Sequence, residues 1–144
     1  MSIPGIALFY GGLVRQKNVL SIIMQPLFIV GVVSILWVAF GYSWAFGTDF
    51  MESGSPLGAV IGGFDKAFLH GITIDTLTSG NIPELTFVMF QCMFAIITPA
   101  LILGAFAERI KFSGYMVFII LWVILAYFPM AHWVWGGGFL QEMG

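Results

Sequence analysis

Aromatic side chains at helical spacing carry the chemistry this sequence offers. Phe90 and Phe94 stand four residues apart, which on a helix puts both rings on one face, one turn apart. Gln91 lies between them, a polar group that needs a partner or water inside an apolar run. A second aromatic set, Trp133 and Trp135, follows His132 and leads straight into Gly136-Gly137-Gly138. Aromatic faces gathered at one depth can hold a small cation through the ring quadrupole. The same residues also suit a plainer role, with phenylalanines packing or facing lipid and tryptophans anchoring a helix end at an interface. With 15 Phe in the chain, spacing alone does not choose between the two.

Other chemistries lack their parts. There is no activated nucleophile, no paired carboxylate set and no metal-ligand cluster, so no enzymatic activity, catalytic residue, cofactor or metal site is expected. His70 reads as a surface histidine without partner ligands, and His132 reads as structural. Cys92 is the one cysteine. It excludes an internal disulfide framework and reads as a small buried hydrophobe. Five Lys and Arg residues cannot form a phosphate-binding stripe, which excludes nucleic acid as a partner.

Charge then divides the chain into the elements that must position these rings. Hydrophobic residues make up 60% of the sequence and charged residues 8%, with a mean hydropathy of +1.01. A soluble domain carries about 25% charge, so the expected fold class is all-α integral membrane. No Asp, Glu, Lys or Arg falls between Lys17 and Asp49, Glu84 and Glu108, or Lys111 and Glu142. Each gap exceeds the roughly 20 residues that cross a hydrocarbon core, and helices at about 20–46, 85–107 and 113–134 are predicted. The charge-free run 1–14 would rise only about 21 Å. It lacks the basic start of a signal peptide and carries Pro4, Gly5 and Gly11-Gly12. It is predicted to be the second half of a truncated first helix, so that residues 1–144 form a single partial domain.

Within the helix at 85–107, Pro99 is expected to interrupt the helix and free a carbonyl one turn earlier. Ala100 and Gly104, four apart, suit close helix contact. The two short connections, 15–18 and 108–112, hold Arg15, Lys17, Arg109 and Lys111, whereas the long connection 47–84 holds five acids against a lone Lys66. Positive loops stay in the cytoplasm. The short loops are therefore expected inside, and the long loop and the C-terminal end outside, in a multi-pass protein of the cell membrane. No ionisable group lies deep in a span, which suits a substrate that crosses uncharged and argues against a proton pump.

Four segments taken together resemble the ammonium transporter family (Amt, Mep and Rh proteins), the Amt branch in particular. They are Pro4 to Arg15 with Lys17 to Leu20; Phe90-Gln91 and Phe94-Ala95 leading to Thr98-Pro99-Ala100-Leu101; Gly104 to Arg109; and Ala131-His132 through Trp135 to Gly138. The resemblance implies a fragment of an ammonium-transporter helical bundle: three complete transmembrane helices and the truncated first. It implies Phe90 and Trp135 as aromatic walls of an external ammonium-recruitment site and Phe94 as a stacked gating ring. Ammonia would then pass a narrow hydrophobic path. The family's partners would be ammonium or ammonia, membrane lipid, two further copies in a homotrimer of the full-length protein, and for many bacterial members a PII signal protein. The family's twin histidines and site aspartate match no residue here, and the fragment is not expected to conduct alone. An ammonium-sensing Amt-like module of a signalling receptor is the alternative.

Overall fold

Inside a hydrocarbon layer each backbone amide must be satisfied within its own segment, and the computed structural model of this chain accordingly forms its long apolar runs into helices. It describes residues 2–52, 54–78 and 80–144. Helix α1 is Ser2–Leu13. Helix α2 runs Val19–Leu36 and continues through a π turn, Trp37–Gly41, into Tyr42–Phe46. Helix α3 is Glu84–Phe106. Helix α4 runs Phe112–Trp122, passes a second π turn at Val123–Tyr127 and ends with Phe128–Trp135. Three of the four stretches, all but α1, are long and apolar enough to cross a membrane.

The π turns decide how α2 and α4 meet. In each, one N–H reaches back five residues, from Tyr42 to the Trp37 carbonyl and from Phe128 to the Val123 carbonyl. The second turn lies just ahead of Pro129, which has no N–H to give the preceding turn. One extra residue in the turn rotates the remainder of the helix about its axis, and Phe128 lands in the space left by the missing side chain of Gly41. Its ring also sits 5.8 Å from both Trp37 and Phe40. Trp37 is fully buried and donates its indole N–H to the Val88 carbonyl of α3, 3.1 Å away. A single aromatic cluster thus joins α2, α3 and α4.

Helix α1 packs on α2 and α3. A Cβ on Gly104 would lie 2.7 Å from the Tyr10 ring, so the glycine lets Tyr10 lie flat on α3 and donate to the Leu101 carbonyl at 3.0 Å. Ala100 is fully buried. Pro99, expected to interrupt α3, does not: the helix continues through it from Glu84 to Phe106. Proline removes one hydrogen bond, the one to the Ala95 carbonyl, without breaking the helix. Thr98 Oγ1 donates to the Phe94 carbonyl (2.8 Å), and Tyr115 of α4 donates to the Pro99 carbonyl (3.3 Å).

The connection 47–83 is folded onto the helix ends. Gly62 N–H donates to the Trp44 carbonyl (2.8 Å) and Trp133 Nε1–H to the Val60 carbonyl (3.0 Å). Buried Ser43 donates to Gly63 O and accepts from Lys66 N–H, both at 3.0 Å. At the opposite end the two short turns touch. Glu108 Oε1 accepts from Arg15 N–H (2.9 Å) and Asn18 Nδ2 (2.8 Å).

Candidate functional site

A cavity of about 350 Å³ opens between α3 and α4 at the long-loop end. Helix α3 contributes Phe94 and Thr98; α4 contributes Trp122, Tyr127, Val134 and Trp135. The residues come in fours. Phe94 and Thr98 are one turn apart on α3, while Tyr127, Ala131 and Trp135 step along one face of α4. Phe94 is 43% exposed and Trp135 53%, so both rings keep open faces. Thr98 and Tyr127 bring hydroxyls that can accept a hydrogen bond inside an otherwise apolar wall.

Phe90 is placed differently. Its ring stands edge-on to Phe94, with centroids 5.0 Å apart at 75°, but it does not line the cavity that Phe94 and Trp135 share. Trp133 also turns away, tied to Val60 and stacked on Phe139 at 5.3 Å. Only one tryptophan of the pair therefore faces the cavity.

The glycines after Trp135 set its position. A Cβ on Gly136 would collide with the Ala45 carbonyl and lie 2.7 Å from His132 Nδ1, and Gly137 takes a φ of +89° that favours glycine. Beneath them His132 is fully buried. Its Nδ1 lies 3.0 Å from the Ala45 carbonyl and its Nε2 2.8 Å from the Gly58 carbonyl. This ring ties α4 to α2 and to the loop. His70 is exposed, and among the described residues no His, Cys, Asp and Glu group could hold a metal ion.

Trp135 also borders a second cavity of about 480 Å³, more polar than the first, with Tyr42, Lys66, Thr78, Glu84 and Phe87. Glu84 is buried, and its Oε1 accepts from Lys66 Nζ at 2.7 Å and from the Tyr42 hydroxyl at 2.9 Å. Sequence reading missed this cluster; its one hint was the lone lysine in an acidic loop. The exposed Glu108 carboxylate at the other end is held below the usual range, first by the Asn18 amide and then by Arg15 N–H.

The ammonium transporter family model matches residues 1–144. The chain belongs to the ammonium transporter family. It is 47% identical over 142 residues to an ammonium transporter of Bacillus subtilis, covering 98% of this chain and 33% of the relative. A putative ammonium transporter of Methanothermobacter thermautotrophicus is 46% identical over 149 residues, with 100% and 34% covered. The crystal structure of Mep2 from Candida albicans superimposes with a TM-score of 0.80 at 32% identity, over 99% of this chain and 30% of that one. Mep2 from Saccharomyces cerevisiae gives 0.81 at 33%, over 99% and 32%. The chain is a multi-pass, all-α membrane protein, and it spans about a third of the length of those curated relatives.

Proposed function

We propose that this chain takes part in moving ammonium or ammonia across the cell membrane, with the Phe94–Trp135 cavity as the place where the cation is received. The carrying observation is that Phe94 and Trp135, 41 positions apart in sequence, line one apolar cavity with the Thr98 and Tyr127 hydroxyls in its wall. Each π face contributes about 0.5–2 kcal/mol toward a cation, too little by itself to strip an ion of its water. Hydroxyl acceptors beside the rings supply part of the hydrogen bonding that water gives up. Trp135 is one wall of this recruitment site. Phe90, edge-on to Phe94 at 5.0 Å but outside the cavity, extends the aromatic approach toward the outside, and Phe94 serves as the gating ring.

Substrate then gives its proton to water at the outer end or has it relayed separately, and neutral ammonia follows an apolar route that a charged species could not take at comparable cost. The long loop faces outward and the two basic short loops face the cytoplasm. The full assembly is a homotrimer in lipid, with a PII signal protein as a cytoplasmic partner.

Binding of methylammonium to the purified protein, followed by calorimetry, tests the reading. Phe94→Ala and Trp135→Leu should each weaken binding by about 2- to 30-fold, the range that one lost cation–π contact allows. Unchanged affinity in both variants would sink it.

A further inference from the structure

The Tyr42–Lys66–Glu84 cluster is more than a fastening between loop and helix. Lys66 is held at its backbone by buried Ser43 (3.0 Å), so its side chain is delivered to a fixed place. There its ammonium group meets Glu84 Oε1 at 2.7 Å and lies 5.8 Å from the centre of the Tyr42 ring. A carboxylate oxygen and an aromatic face are what a small alkylammonium ion needs. Both donors converge on Oε1; among the described residues none donates to Oε2. Next to Lys66 in sequence, Asp65 accepts from Thr48 N–H through Oδ2 at 3.3 Å, and its Oδ1 is buried without a hydrogen-bond partner among the described residues. The cavity around Tyr42, Lys66 and Glu84 reaches Trp135.

We propose that the Tyr42–Glu84 pocket is a second binding site for a small ammonium-type cation, filled in this structure by the Lys66 side chain, with which a free amine cation exchanges. The direction of travel, from here to Trp135, rests on reading the aromatic cavity as the receiving site; the pocket itself does not. Lys66 then acts as a tethered competitor that keeps weakly bound cations away from the Glu84 carboxylate.

Chemical rescue tests this. Lys66→Ala removes the tethered cation, and its thermal unfolding midpoint is followed against ethylammonium chloride, with sodium chloride at equal ionic strength as the control. A saturable rise of a few degrees is expected with ethylammonium alone. Wild type, where Lys66 competes, should show a smaller rise that needs more ethylammonium, and Lys66→Ala/Glu84→Gln, with the carboxylate gone, should show none. Equal responses to both salts overturn the proposal. So does a Lys66→Ala protein that is unfolded in sodium and stays unfolded when prepared in ethylammonium. Lys66→Ala/Phe94→Ala, which alters the aromatic cavity and leaves this pocket's lining intact, should retain the rescue, so failure of the aromatic cavity as a cation site is distinguished from failure of this pocket.

Discussion

His132 Nε2 lies 2.8 Å from the carbonyl oxygen of Gly58, 74 residues earlier in the chain, and its other ring nitrogen lies 3.0 Å from the carbonyl of Ala45. A neutral imidazole has one N–H and can satisfy one of these at a time; the tautomer decides which. Either way the ring fills a fully buried position one turn before Trp135 and holds three segments together. His132→Phe keeps the volume and loses the polar tie. Its unfolding midpoint should drop, corresponding to about 1–3 kcal/mol for a buried carbonyl left without its donor. His132→Gln, which retains an N–H, should recover part of the loss.

Gly41 and Phe128 make a second test, since the ring occupies the space a Cβ at position 41 would need. Gly41→Ala should destabilise the protein by about 1–3 kcal/mol through overpacking. Phe128→Leu in the same chain should give back part of that. A double-mutant cycle with no coupling between the two positions would show that the π turns, and not this contact, set the α2–α4 approach.

The contrast between the features the sequence disclosed and those it hid comes down to range. Gaps between charges are local, and they disclosed three spanning helices because a bilayer tolerates few charges over some 20 residues. The short apolar helix α1, Ser2–Leu13, was legible for the same reason. The π turns at Trp37–Gly41 and Val123–Tyr127 were not, because a one-residue widening depends on which ring must fit beside Gly41. Pro99 also misled: its local preference is to break a helix, yet α3 runs through it from Glu84 to Phe106. For the site, Phe94 and Trp135 stood out by type and motif. Thr98 and Tyr127 emerge only from extending the four-residue steps along α3 and α4. The Lys66–Glu84 pair joins a loop to a helix over 18 positions, and no periodicity announces such a contact.

Glu108 yields a pH prediction. Its folded-state carboxyl is lowered by the Asn18 amide and Arg15 N–H, so it binds protons less readily folded than unfolded. Stability from this group is therefore fully present above the ordinary carboxylate range and is lost as pH falls through that range, about pH 4. Unfolding midpoints of wild type and Glu108→Gln should differ most near neutral pH and converge in acid. A gap that stays constant with pH would mean that the carboxylate's charge is not what links the two short turns.

Orientation is the remaining prediction, and single cysteines report it. Lys17 and Lys111 are exposed at the short-loop end, and Thr73 is exposed at the other. The native thiol Cys92 is 4% exposed and packed beside Ser34, so background labelling should be low. Basic connections are retained in the cytoplasm because translocating Lys and Arg is disfavoured. In intact cells a membrane-impermeant maleimide should then label Thr73→Cys and spare Lys17→Cys and Lys111→Cys, all three reacting once the membrane is opened. Labelling of Lys17→Cys and Lys111→Cys in intact cells, with Thr73→Cys protected, would invert the topology. The Phe94–Trp135 cavity, which shares its end with Thr73, would then face the cytoplasm and could not receive external ammonium.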